Sequence, residues 1–470
     1  MNSVRFSTTD IETAVKGEWL NGICPEKQIC GITTDTRNDC SDAFFVALKG
    51  EFFDAHNFLD KAIAAGSAVL CVNRSFALEN LTELPIPVFL VEDTLLAYQA
   101  LAKYYRQSLS ELQVAAVTGS MGKTSCKEII KSIFAEAAGY DYVYATRNNT
   151  NNQVGVPQNI FNLTKKHQLC VLEMGTNHFG EIEPISKTAE PDVAVITAIA
   201  PCHLEFLRDL KGVAEEKSKI FSGLKSTGTA IIPYSCPQNV FLRKKVEKFR
   251  VLTFGYDPAA DVQSEYLGGG LNGSRIRVTF NSLNGESFEL KWQLSGAHQA
   301  LNAAAAVAVA LAMGISPKHI IEGLKKCVLP GMRMKIESIN GTNWINDAYN
   351  ASPDSMVAAI DWLAEFSNAE DLLLVLGDML ELGDRTAAEH TRILNHAFAK
   401  FPQAAFCLIG RQMYNSGCNL DLPENTFFFN DSEAASPTIK CLSQDRNSVF
   451  LKASRGMKLE KVLPENEKTQ

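Results

Sequence analysis

Thr118-Gly119-Ser120-Met121-Gly122-Lys123-Thr124-Ser125 constrains this chain more than any other stretch. It follows the apolar run Val114-Ala115-Ala116-Val117, which reads as a buried strand. It precedes residues 127–138, which read as a helix stopped by Gly139. A strand that turns on glycines into a helix start aims backbone N–H groups and a helix N-terminus at one point. That suits an anion, and Lys123 adds formal charge there. Thr124 is placed to put its hydroxyl on Mg²⁺. The Walker pattern G-x-x-x-x-G-K-[ST] is met only in part, because Val117 stands where its first glycine belongs. The strand before and the helix after favour a phosphate cradle over an ordinary glycine turn. Gly119, Ser120, Met121, Gly122, Lys123, Thr124 and Ser125 are therefore the expected nucleotide-binding residues.

At 470 residues the chain has room for about three domains, each with its own core. Its formal charge of −8 offers no general attraction to nucleic acid or anionic lipid, so phosphate recognition must be local. Residues 1–10 are polar, with no apolar segment of the kind a secretory signal needs. The alanine-rich run 300–313 is too short to span a bilayer. Twelve cysteines without C-x-x-C pairs read as free thiols, which makes a reducing cytoplasm the expected location.

Along the chain, residues 4–109 read as a small α/β unit with strands at 43–48, 68–72 and 87–91 and helices at 58–65 and 95–105. Thr34, Asp35, Thr36 and Arg37 sit in a loop there, where an Asx-type turn with a solvated arginine competes with a sugar-nucleotide contact. A second unit opens near 112. After the glycine turn comes the amide-rich stretch 146–152, in which Asn151 and Asn152 suit a polar substrate. Strands at 169–172 and 192–199 end at Glu173 and just before His203. Ligands of open parallel sheets gather outside the carboxyl ends of strands, so Lys123, Thr124, Glu173 and His203 are expected at one edge. There an oxygen and a nitrogen ligand suit Mg²⁺ held against ATP phosphates. Lys217 lies in Glu215-Glu216-Lys217-Ser218-Lys219, the kind of run that is usually a solvated helix face. Residues 275–280 and 287–294 alternate around Asn284-Gly285 as a hairpin. Pro330-Gly331 marks a boundary, and the remainder repeats strand and helix at 372–376, 385–401, 404–409, 426–429 and 449–451. Asp378 and Glu381, beyond another strand end, are candidates for ligand contact.

Together these marks resemble the Mur ligase family over nearly the whole chain. They are Asp35-Thr36-Arg37, the phosphate turn, Asn151-Asn152 with Gly155 and Pro157, and Glu173-Met174-Gly175. They continue with His203-Leu204-Glu205, Gly296 with His298 and Asn302, Arg333, Asp347, and the Gly377–Gly383 string. The string Tyr349-Asn350-Ala351-x-Pro353 resembles the members that join D-alanyl-D-alanine to UDP-N-acetylmuramoyl-tripeptide. The resemblance implies an N-terminal UDP-substrate-binding α/β domain (1–110), a central ATPase with a P-loop-type, mostly parallel sheet (111–330) and a C-terminal Rossmann-like domain (331–470). It implies ATP and two Mg²⁺ ions, with Thr124, Glu173, His203 and a carbamylated Lys217 as metal ligands. It assigns Lys123, Lys217, His203, Arg333 and Asp347 to catalysis, and Asn302 and Arg333 to the nucleotide. Thr34, Asp35, Thr36, Arg37, Asn151, Asn152, Asn350, Asp378 and Glu381 go to the substrates, and a monomer is expected. Departures from the family pattern are Ala55, Lys219, Gln299, Ser352 and Ala453.

The implied chemistry makes an acyl phosphate from a carboxylate and ATP, which the dipeptide's amine then attacks. Two other readings stay open on residues alone. One is a ligase of the same chemistry acting on a different acid and amine, such as a folylpolyglutamate-synthetase-like enzyme. The other is a nucleotide-binding regulatory protein without turnover.

Overall fold

The structure is a computed structural model that describes residues 4–80, 84–283 and 285–464. Asn284 of the expected hairpin turn lies outside the described residues, as do residues 1–3 of the N-terminal stretch. The N-terminal sheet has five strands, Glu18–Trp19, Val88–Val91, Val69–Asn73, Phe44–Val46 and Ile32–Thr33 in spatial order. All its pairings are parallel except the edge pair of Glu18–Trp19 with Val88–Val91.

The central sheet has nine strands, and its parallel part carries the turn. Four strands and two helices position what matters: β1 (Gln113–Thr118), α1 (Lys123–Ala138), β2 (Val143–Ala145), β3 (Leu169–Glu173), β4 (Val193–Ile196) and α2 (Leu210–Ser218). β1 lies between β3 and β4, with β2 at the edge beyond β3. On the far side of β4 the sheet continues through Thr229–Pro233 and Arg250–Gly255 to an antiparallel meander of Val262–Gly270, Gly273–Phe280 and Glu286–Trp292. β3 and β4 are buried along their full length and β1 in five of its six residues, as strands covered on both faces must be. That is why they read as continuous apolar runs.

Helix α1 packs Ile129, Ile130, Ile133 and Phe134, all fully buried, into one core with the alanine-rich α3 (Ala297–Ala312). Alanine lets helices approach closely, and Gly323 of the next helix closes in further: a Cβ there would meet Ile133 Cα at 2.4 Å. Each large apolar side chain so buried contributes about 1.5–3 kcal/mol.

The C-terminal sheet has six strands, with β5 (Leu372–Gly377) between Ser448–Lys452 and Ala405–Ile409. Its fully packed aromatics, Trp344 and Trp362, lie on opposite faces of that sheet. Several elements escape the sequence pattern, Thr229–Pro233 and Arg250–Gly255 among them, and two of the others have a plain reason. The short β2 is one, and the other is the antiparallel pair Lys335–Ile339 and Thr342–Asn346, too polar to alternate clearly. Helix α1 begins at Lys123 rather than 127, because Gly122 acts as its N-cap in the left-handed region at φ +78°.

Candidate active site

The glycine turn is held from both neighbouring strands. Thr118 Oγ1 donates to Met174 O at 2.7 Å, and Thr197 Oγ1 donates to Met121 O at 2.5 Å. Ser120 is tied three times to the segment after β4: its N–H donates to Ala198 O (2.9 Å), its hydroxyl donates to Ala200 O (2.8 Å), and that hydroxyl accepts from Ala200 N–H (2.9 Å). A Cβ at 122 would meet Asn302 Oδ1 at 2.2 Å, so any larger residue must displace that amide as well as bear φ +78°. Asn302 is buried on α3 and donates to Gln299 Oε1 at 3.0 Å, so the departure at Gln299 fixes the amide that faces the turn. Lys123 Nζ donates to Gly119 O at 2.7 Å, which holds the ammonium over the turn's own backbone.

Register places Glu173, the last residue of β3, beside Val117. Asn151 Nδ2 donates to Glu173 Oε1 at 2.8 Å, and Glu173 Oε2 is buried without a partner. Lys217 departs from its expected solvated face: the side chain is fully buried and Nζ has no hydrogen bond. Val213 and Ala214 share that buried face of α2 one turn earlier, a spacing that marks the lysine as inward-facing. Burial above all, with Lys123 adding repulsion, lowers the Lys217 ammonium from 10.5 to about 8.

An orphaned buried carboxylate oxygen is costly unless a cation takes it. Glu173 Oε2 and the Thr124 hydroxyl thus fit a Mg²⁺ ion completed by phosphate oxygens and water. Among the described residues no cluster of three or more His, Cys, Asp or Glu side chains gathers for a metal, so the protein's share of such a site is sparse.

His203 follows β4, as expected, in the left-handed region at φ 49°. Its Nδ1 lies 2.5 Å from Glu381 Oε2 of the loop after β5, so the structure pairs these two residues with each other across two sheets. Asp378 does not present a free carboxylate. Its two oxygens accept from the N–H groups of Gln412 and Met413 at 3.1 and 2.8 Å, starting the helix Arg411–Gly417. That geometry gives the group a structural use as a helix-start acceptor, beside the ligand contact expected of it.

Arg333 crosses between lobes. It donates to Thr124 Oγ1 at 3.2 Å and stacks 3.5 Å from the Tyr349 ring centroid. Asp347 holds the segment behind it, accepting from Met334 N–H at 3.1 Å and ion-pairing with Lys452, whose Nζ also reaches Asn350 O at 3.3 Å. Between α1, the edge strand β2 and this linker lies a cleft of about 850 Å³ that Thr124 and Arg333 both line. Sequence reasoning missed it, although Lys127 and Lys131 follow Lys123 at helical spacing.

The remaining candidates have local partners. Asp35 and Arg37 are paired with each other at 2.7 Å, and the arginine side chain is 88% exposed. Arg37 N–H donates to Asp35 Oδ1 at 3.0 Å, an Asx-type turn flanked by half-buried Thr34 and Thr36. Asn152 Oδ1 accepts from Gly155 N–H at 2.8 Å at the start of the next helix. Lys219 is paired with Glu183 at 3.2 Å, away from Lys217.

Residues 117–310 match the family model of the Mur ligase middle domain, and residues 332–455 that of the Mur ligase, glutamate ligase domain. The UDP-N-acetylmuramoyl-tripeptide–D-alanyl-D-alanine ligase of Bacillus subtilis is 33% identical over 98% of both chains. The chain belongs to the Mur ligase family. The Escherichia coli ligase of the same name is 33% identical over 92% of each chain. Among solved Mur ligases, the crystal structure of MurF from Acinetobacter baumannii matches with a TM-score of 0.88 at 31% identity over 98% of both chains. MurF of Thermotoga maritima in complex with ADP matches at 0.79 and 25% identity, over 92% of this chain and 95% of that one. In this Mur ligase no helix among the described residues is long and apolar enough to cross a membrane.

Proposed function

We propose that the chain is an ATP-dependent ligase that joins D-alanyl-D-alanine to UDP-N-acetylmuramoyl-tripeptide in peptidoglycan precursor synthesis. One observation carries the chemistry. The ends of β1 and β3 and the buried face of α2 present a lysine on a glycine turn, a carboxylate oxygen without a partner and a buried lysine of lowered pKa.

Lys123 neutralises charge on the transferring γ-phosphoryl group. When bound, Mg²⁺ supplies Lewis-acid stabilisation of the phosphates, and Glu173 and Thr124 are the residues to hold it. The tripeptide carboxylate attacks the γ-phosphorus and ADP leaves. The dipeptide amine then adds to the acyl carbon, loses a proton and expels phosphate from the tetrahedral intermediate. Arg333 joins the nucleotide from across the lobe junction, and Asn302 contacts adenine. Asp347 positions the linker that carries Arg333.

With its pKa near 8, Lys217 is roughly 10% neutral at pH 7, far more than an ordinary lysine. The neutral amine attacks the carbon of CO₂ and releases a proton, giving a carbamate whose oxygens suit a second Mg²⁺ together with His203. That role for His203 requires its release from Glu381. Thr34, Asp35, Thr36 and Arg37 mark the UDP end of the substrate, with Asn151 and Asn152 nearer the acid. The units 1–110, 111–330 and 331–470 are its domains, and the protein acts as a cytoplasmic monomer.

The test is phosphate release from ATP with a panel of acids and amines. Release that needs both UDP-N-acetylmuramoyl-tripeptide and D-alanyl-D-alanine supports this reading. Release with a folate and glutamate assigns the alternative ligase, and nucleotide binding without any turnover assigns a regulatory role.

A further inference from the structure

The cleft along α1 is strongly basic in a chain whose net charge is −8. Its lining includes Lys127, Lys131, Arg147, Lys166, Arg333 and Arg455, against the carboxylates of Glu128 and Asp141 alone. Most of these cations have partners. Lys127 is ion-paired with Glu128 and donates to Thr146 O at 3.2 Å, Lys131 lies 3.6 Å from Glu128, and Arg455 is paired with Glu460. Arg333 is taken by Thr124 and Tyr349.

Arg147 differs. Its backbone is fixed, with N–H donating to Asn159 Oδ1 at 3.3 Å and C=O accepting from Thr150 Oγ1 at 2.6 Å. Its guanidinium lies 5.6 Å from the Tyr144 ring centroid, and no carboxylate among the described residues ion-pairs with it. The local potential is positive: after burial, Lys166 and then Arg147 help hold His167 below its ordinary value. An exposed guanidinium without a counter-charge, carried on a fixed backbone in the wall of a basic cleft that begins at Thr124, suits an anion.

Position along α1 selects which anion. Lys127 touches the residue preceding Arg147 and stands three residues beyond Thr124, about 4.5 Å of helix rise. An extended dipeptide spans about 7 Å from amine to carboxylate. The acid that becomes the acyl phosphate spends its carboxylate at the phosphate end of the cleft. The dipeptide's carboxylate survives the reaction and must be neutralised elsewhere.

We propose that Arg147 binds the free carboxylate of the incoming D-alanyl-D-alanine, holding its amine toward the phosphate turn. This rests on the ligase reading above. A charge-assisted contact of this kind is worth about 10- to 100-fold. Arg147→Ala is expected to raise the Michaelis constant for D-alanyl-D-alanine by about that factor, with kcat and the constants for ATP and the UDP-tripeptide unchanged, and Arg147→Lys to recover part of the loss. D-alanyl-D-alanine amide, which lacks the charge, is expected to be a poor substrate for wild type and to lose nothing further in Arg147→Ala.

An unchanged dipeptide constant, a rise confined to the UDP-tripeptide, or an equal penalty on acid and amide in the variant would each overturn the assignment. Matching far-ultraviolet circular dichroism and unfolding midpoints for the three proteins confirm that folding is not what changed. Wild type that fails to turn over both substrates defeats the ligase reading, and this inference with it. Wild type that turns them over with Arg147→Ala unaffected defeats the inference alone.

Discussion

Among the described residues, Glu173 Oε2 and Lys217 Nζ stand buried without partners at the carboxyl edge of the central sheet. At the same edge of the C-terminal sheet Asp378 gives both oxygens to the Gln412 and Met413 N–H groups. There His390, fully buried, accepts from Met379 N–H at 3.0 Å and bonds Thr386 O at 2.7 Å. Both edges obey the rule that polar residues collect where parallel strands end. The rule alone does not separate a site from a well-satisfied junction. An unpaired buried polar atom costs about 1–3 kcal/mol, and although Trp362 Nε1 and Arg446 Nε are also unpaired, the two charged groups beside the phosphate turn are the ones placed where a ligand can use them.

The largest effect that could break this contrast is at the turn. Lys123→Ala is expected to lower phosphate release by about a hundredfold or more while the unfolding midpoint stays put, since removing one charge stabiliser costs that much. Turnover near wild type would remove the turn from the chemistry. Next comes Lys217→Met, expected to lose turnover to a similar extent and yet gain stability. Burial lowers this ammonium to about 8, so the wild-type fold bears the full cost of the buried cation below pH 8 and sheds it as pH rises toward 10.5. Urea unfolding in CO₂-free buffer at pH 7 should show Met more stable by roughly 3 kcal/mol, a gap that closes by pH 10.5. A pH-independent gap would refute the buried-cation account.

The opposite outcome is expected of Asp378→Ala. Stripping the helix-start acceptor should cost about 1–2 kcal/mol by urea unfolding and leave the Michaelis constant for ATP unchanged. A change in that constant without loss of stability would make Asp378 a binding residue after all. Smallest is Arg37→Ala, whose exposed pair with Asp35 should leave the thermal unfolding midpoint essentially where it is. Its effect on the UDP-substrate constant then reports binding alone.

The central strands were legible because burial on both faces leaves an uninterrupted apolar signature, and the glycine turn because its spacing is tied to backbone geometry. Lys217 was legible through the family resemblance and not through its own pattern: Glu215-Glu216-Lys217-Ser218-Lys219 reads as solvated until Val213 and Ala214 are set on the same face of α2. Glu216 is inward too, accepting from the N–H groups of Gly180, Glu181 and Ile182. Asp378 and Arg147 show the remaining limit. Whether a carboxylate is spent on a distant helix start, or a guanidinium is left without a counter-charge, depends on residues far off in sequence.

The contact of His203 with Glu381 joins a loop of the central sheet to a loop of the C-terminal sheet, and both residues carry left-handed backbone at φ 49° and 64°. Whatever draws the imidazole away cuts a tether between lobes, and whatever swings the lobes apart frees the imidazole. On the proposed reading, in which His203 takes a cation, binding there and the angle between the two sheets are linked. A probe of either, such as small-angle scattering during a magnesium titration, reads the other.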